Sequence, residues 1–194
     1  NLDGSIGIRW YAAEGARVSP GETVCELKGK TRALLTGERT ALNFLQMLSA
    51  VATATSRYVA AVAGTRARIV DTRKTLPGLR AAEKYAVRVG GGVNHRMGLY
   101  DAILLKENHI TAFGGVRPAL AAAQKAAAPG IWIQVEVETL DQLRQALDAG
   151  ATMILLEEGH GRAWTELLAP ITTPSSIGGL TLYSLQPQIG RAHV

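Results

Sequence analysis

Along most of this chain, apolar residues come in short runs that end on a charged side chain. Ile69 and Val70 lead through Asp71 and Thr72 to Arg73 and Lys74, and the run 103–105 leads to Lys106. Further on, the run 133–137 ends at Glu138 and the run 153–156 at Glu157. These runs have the length and β-branched content of strands, and segments with helical spacing of apolar residues separate them. The pattern predicts strands over 67–71, 101–105, 132–137 and 152–156. Helices are expected over 79–89, 117–127, 140–149 and 162–168. The alternation is that of parallel β/α units, in which functional groups stand at the carboxyl ends of strands. Arg73, Lys74, Lys106, Glu138 and Glu157 then share one rim, which suits a substrate with several negative charges and a divalent metal.

Residues 1–35 read differently, as short strands over 6–11 and 23–27 broken by Glu14-Gly15, Pro20-Gly21 and Gly29. They resemble the remainder of a larger α+β domain. A long helix is expected to start near Thr36 or Gly37, with Thr36 as its cap and Glu38 in the first turn. It runs toward Gly64 as a domain junction, with Leu42, Leu45, Leu48 and Ala52 at helical spacing. A complete eight-unit barrel takes around 250 residues, so the barrel is expected to be open or incomplete. The missing initiator Met suggests a start within a longer polypeptide.

With 194 residues, 47% of them hydrophobic, the chain has material for a sizeable core. The single cysteine, Cys25, cannot form an internal disulfide and is expected to be a small buried hydrophobe in a reducing compartment. No apolar stretch reaches the roughly 18 residues of a membrane span, and the first residues resemble no signal peptide. A cytoplasmic location is expected. The net charge of +5 is concentrated between Arg57 and Lys106, and such a field attracts polyanions. Nucleic acid is disfavoured because aromatic residues for base stacking are not interleaved there.

Three segments carry the candidate chemistry. In "DTRKTLPGLR", residues 71–80, Arg73 offers a planar fork for a carboxylate and Lys74 a compact charge for phosphate. In "GGGVNHRMG", residues 90–98, the glycines allow close backbone approach to a ligand, and His95 and Arg96 follow them. In "LLKENHI", residues 104–110, Lys106 needs an anion nearby. His109 is read as orienting that loop by hydrogen bonding. "VEVE", residues 135–138, puts Glu136 and Glu138 on one strand face. Glu138, nearer the rim, suits a metal or ribose contact, whereas Glu136 suits pairing with an interior cation. Glu157 is the corresponding rim carboxylate one strand later, and Glu158 is expected to face solvent.

These segments, with "LLTGERTALNFLQMLS" and "VEVETLDQL", resemble quinolinate phosphoribosyltransferase, the nicotinate-nucleotide pyrophosphorylase of NAD synthesis. The resemblance runs from roughly Gly15 to Leu156. It implies an α/β fold: an N-terminal α/β sandwich followed by an incomplete, open β/α barrel, working as a homodimer. Residues 1–37 would be the end of the sandwich, 38–185 the incomplete barrel, and 186–194 a non-native tail, since "IGRAHV" resembles a translated sequencing adapter. The implied reaction joins quinolinate to phosphoribosyl pyrophosphate (PRPP) with Mg2+, giving nicotinate mononucleotide, carbon dioxide and pyrophosphate. By motif, Arg73, His95, Arg96 and Lys106 line the dicarboxylate pocket, and Lys74 and Lys106 hold phosphoribosyl oxygens. Arg39 would reach the neighbouring subunit's pocket, and Glu138 and Glu157 would stand near ribose and metal. Lys106, Glu138 and Glu157 are the residues implied in catalysis.

The chain departs from the family pattern at "LLEE", residues 155–158, where the family has "LLDN". Past about Pro170, "SIGGLTLYSL", residues 176–185, only faintly echoes a phosphate loop. Competing readings are a related phosphoribosyltransferase for another acidic ring, an inactive fragment, and a carrier-like binding module suggested by "EGARVSPGETVCELKG". No carrier-type methionine-lysine-methionine accompanies that last segment.

Overall fold

A computed structural model describes residues 2–156 and the strand 181–183. They fall into two compact units that divide between Met97 and Gly98. The first unit opens with β1 (Gly7–Trp10) and β2 (Cys25–Lys28), paired antiparallel with Trp10 opposite Cys25. Both lie within the segments expected as short strands. Cys25 is half-buried, not enclosed.

Helix α1 (Thr31–Ala61) begins earlier than its sequence signals suggested, and the expected boundary at 37/38 falls inside it. Lys30 is the residue before the first turn and gives no side-chain cap. Thr36 does not cap the helix; its hydroxyl donates to the Arg32 carbonyl at 2.7 Å, one turn back. The good helix formers Arg32, Ala33, Leu34 and Leu35 extend the helix, and an interior glycine such as Gly37 costs only about 1 kcal/mol relative to alanine. Helix α2 (Arg80–Val89) packs against α1 within the same unit.

The expected strand 67–71 is reduced to a single parallel bridge between Val70 and Val93. Val93 N–H donates to the Ile69 carbonyl at 2.8 Å, and Asp71 N–H donates to the Val93 carbonyl at 3.1 Å. With charged Arg66 and Arg68 ahead of it, this apolar run is too short to sustain a longer ladder.

The second unit contains β3 (Ala102–Leu105), α3 (Glu107–Ala112), α4 (Val116–Ala126), β4 (Trp132–Val137), α5 (Leu140–Asp148), β5 (Met153–Leu156) and β6 (Thr181–Tyr183). The strands form one parallel sheet in the order β3-β4-β5-β6. Leu105 pairs with Val135 and Val135 with Ile154, so these side chains align across the sheet. With Val137 and Leu156 they pack on Ile110, Val116, Ala119, Leu120, Ala123, Leu143 and Ala146 of the helices. This is the core.

Strand alternation directs Gln134 and Glu136 to the sheet's other face, yet both are buried. That face is therefore shielded from water, and its polar groups have to be satisfied within the protein.

The fold is thus mixed α/β with a parallel sheet, as its alternating pattern predicted. Helix α3 was read only as a loop. Helix α5 carries a reciprocal cap: Thr139 Oγ1 accepts from Gln142 N–H at 3.2 Å, and Gln142 Oε1 accepts from Thr139 N–H at 3.2 Å. Among the described residues no helix is long and apolar enough to cross a membrane. The predicted helix 162–168, Glu157, Glu158, nearly all of the phosphate-loop segment and the proposed tail lie outside the described residues.

Candidate active site

In the first unit, the Val70–Val93 bridge sets side by side the two segments that carry candidate cations. Arg73 and Lys74 follow one partner, and His95 and Arg96 follow the other. Beneath them lies a buried ion pair, Lys84 with Asp71, whose side chains are 1% and 7% exposed. Such a pair needs further polar partners to offset its desolvation, and the loop supplies them. Asp71 Oδ1 accepts the His95 N–H at 2.8 Å, and Lys84 Nζ donates to the His95 carbonyl at 3.1 Å. With its amide nitrogen facing these acceptors, Asn94 donates to Asp71 Oδ2 and to the Lys84 carbonyl, each at 2.9 Å.

Arg80 ties the same segments at another point. Its guanidinium donates to the carbonyls of Arg73 and Met97, each at 3.2 Å. The backbone bearing Arg73, His95 and Arg96 is therefore fixed by side chains of α2 and Asp71. Arg73 Nε is itself buried with no hydrogen-bond partner among the described residues. An enclosed guanidinium N–H of this kind is an unused donor for an anion.

The glycines before His95 have a packing role that their sequence did not announce. A Cβ on Gly90 would lie 2.7 Å from Thr55 Cβ, and one on Gly92 would lie 2.9 Å from Thr55 Cγ2. Gly91 has φ +87, in the left-handed region. The run lets the loop lie against α1.

In the second unit, β3 delivers Lys106 at its carboxyl end, as expected. Its Nζ stands 3.0 Å from Glu136 Oε1, with the lysine side chain 47% exposed and the carboxylate 8%. Glu136 thus has a cation partner, but it is the half-exposed lysine at the strand end and not the interior cation expected for it. His109 Nδ1 accepts the Lys106 N–H at 3.0 Å. It orients this segment, in agreement with its reading, by closing the first turn of α3. Glu138 follows β4 half-buried, and its N–H donates to Gln142 Oε1 at 2.7 Å.

No group of three or more His, Cys, Asp or Glu side chains is arranged to hold a metal among the described residues. Mg2+ commonly binds through one or two carboxylates and substrate phosphates, not an all-protein cage, and the half-buried Glu138 offers one carboxylate just past β4. Arg39 lies exposed on α1. The links made by Asp71, Arg80, Lys84 and Asn94 were not singled out in the sequence.

A family model for the quinolinate phosphoribosyl transferase C-terminal domain matches residues 51–176, and one for the N-terminal domain matches residues 3–49. The chain is 43% identical over 187 residues to a probable carboxylating nicotinate-nucleotide pyrophosphorylase of Bacillus subtilis, covering 95% of this chain and 65% of that protein. It is 45% identical over 194 residues to the Mycobacterium leprae carboxylating nicotinate-nucleotide pyrophosphorylase, covering 93% and 67%. Among solved structures, NadC from Streptococcus pyogenes matches with a TM-score of 0.79 and 44% identity, over 88% of this chain and 61% of that one. The Francisella tularensis nicotinate-nucleotide pyrophosphorylase matches with a TM-score of 0.81 and 44% identity, over 87% and 60%. The chain thus spans about two thirds of the length of these curated relatives and about three fifths of these solved chains. On the strength of both family-model matches and these identities, the chain belongs to the quinolinate phosphoribosyl transferase family.

Proposed function

We propose that the protein is a pentosyltransferase that moves the phosphoribosyl group of PRPP onto quinolinate and decarboxylates the product to nicotinate mononucleotide. The observation that supports this best is the Val70–Val93 bridge, which brings the Arg73-Lys74 and His95-Arg96 segments together. Charge-assisted forks from arginine suit paired carboxylates on a planar ring. The Arg73 Nε, without a hydrogen-bond partner among the described residues, agrees with that role.

In this reading Arg73, His95 and Arg96 bind quinolinate, and Lys106 contacts both substrates. Lys74 and Lys106 hold phosphoribosyl oxygens. Held in line with the anomeric carbon, the pyridine nitrogen attacks as the bond to pyrophosphate breaks. Glu138 and Glu157 favour the positive charge developing on the ribose. Glu138 and Glu157 would hold Mg2+, which would supply charge neutralisation for the departing pyrophosphate. The ribosylated ring nitrogen is cationic, so it stabilises the electron pair left on C2 when the 2-carboxylate leaves as carbon dioxide, and a proton from water then forms the C2–H bond of the product. No separate decarboxylation cofactor is needed.

The same reading takes the parallel sheet as part of an open β/α barrel and β1 and β2 as part of an α/β sandwich. It assigns residues 1–37 to the sandwich, 38–185 to the barrel and 186–194 to a non-native tail. The protein acts in the cytoplasm as a homodimer, with Arg39 entering the partner's site. Incubation with quinolinate, PRPP and Mg2+ should release carbon dioxide and mononucleotide together. A well-folded protein that forms neither would refute the proposal.

A further inference from the structure

We propose that Arg80 and Lys84 are positioning residues, which set the backbone from which Arg73, His95 and Arg96 meet the anionic substrate. This deepens the function proposed above and rests on it for the ligand's identity. The two cations stand one turn apart on α2 and so share a helix face. Arg80 forks between the Arg73 and Met97 carbonyls, and its Nε donates to Thr75 Oγ1 at 3.4 Å. Lys84 holds the His95 carbonyl while its partner Asp71 holds the His95 N–H. Both main-chain polar groups of His95 therefore end on one ion pair. Besides Thr75 and Asp71, these positive groups are directed at main-chain oxygens. Stability alone does not call for a lysine that is 1% exposed, because well-packed apolar side chains often replace buried ion pairs without loss. What apolar residues could not supply is directional donors that fix the loop carbonyls.

The test compares Arg80→Gln, Arg80→Lys and the double variant Asp71→Asn with Lys84→Met, each in the full chain. The readouts are quinolinate affinity by calorimetry, amide hydrogen exchange of residues 93–97 and thermal melting. Arg80→Gln should fold, speed exchange in 93–97 and weaken quinolinate by about tenfold or more, since small misplacements of recognition groups are costly. Arg80→Lys, which keeps the charge but not the fork, should fall between it and the parent. The double variant should behave like Arg80→Gln; if it fails to fold, the Arg80 pair decides. A folded Arg80→Gln protein with parental affinity overturns the proposal, whether or not its loop exchange changes. If the parent binds no quinolinate, the functional reading fails instead. Loop exchange then decides positioning by itself: faster exchange supports it, and parental exchange overturns it.

Discussion

Lys106 reaches Glu136 at 3.0 Å from the end of the preceding strand in the sheet, with its ammonium partly in water and its carboxylate partner buried. The arrangement is asymmetric, so the two halves should respond differently to mutation. Lys106→Met leaves a buried carboxylate without its cation and should cost about 1–3 kcal/mol in urea unfolding, below the cost of breaking a fully buried pair. Adding Glu136→Gln should recover most of that loss. An equal cost in single and double variants would show that the pair contributes nothing to the fold.

Gly90 and Gly78 should separate steric need from backbone need. Gly90 has φ −74 but no room for a Cβ beside Thr55 and the Ala52 carbonyl. Gly78 has φ +78 and open space around it. Gly90→Ala should destabilise by about 1–3 kcal/mol through overpacking. Gly78→Ala should cost under about 1 kcal/mol, because left-handed strain is partly offset by a less flexible unfolded chain. Thermal melts of both variants give the comparison.

Under the proposed function, Arg96→Ala should weaken quinolinate binding by about 10–100-fold, the equivalent of one charge-assisted contact of about 1.5–3 kcal/mol. Its circular dichroism should match the parent's. Unchanged affinity in calorimetry would remove Arg96 from the recognition set.

Thr139→Ala removes one half of the cap at the start of α5. The expected loss is about 1 kcal/mol, with Thr139→Ser close to the parent in denaturant titrations. Because Gln142 also holds the Glu138 N–H, a larger effect on the proposed turnover than on stability would support the role proposed for Glu138.

The sheet of the second unit could be foreseen because its apolar runs are bounded by turn and cap residues. Residues 132–137 lie between Gly130 and Thr139, and β4 has those limits. Lys106 likewise stood out as a charge at the end of an apolar strand, and its need for an anion is met by Glu136. Helix α3 was missed because six residues are too few to display a period. The early start of α1 was missed because Thr36 and Gly37 imitate a helix boundary, while a 31-residue helix tolerates both. The fastening of His95 had no local signal at all. Lys84 lies 13 residues from Asp71, and Asp71 lies 24 from His95. Only tertiary structure makes that triangle visible, and a lysine on a helix ordinarily suggests a solvated face.

The lone rung between Val70 and Val93 has one more consequence. A multi-rung ladder spreads its strength over many backbone bonds, whereas this junction depends on a few side-chain fasteners. On warming, it can loosen before the parallel sheet melts, so the proposed substrate binding would fade while spectroscopic signs of folded structure persist.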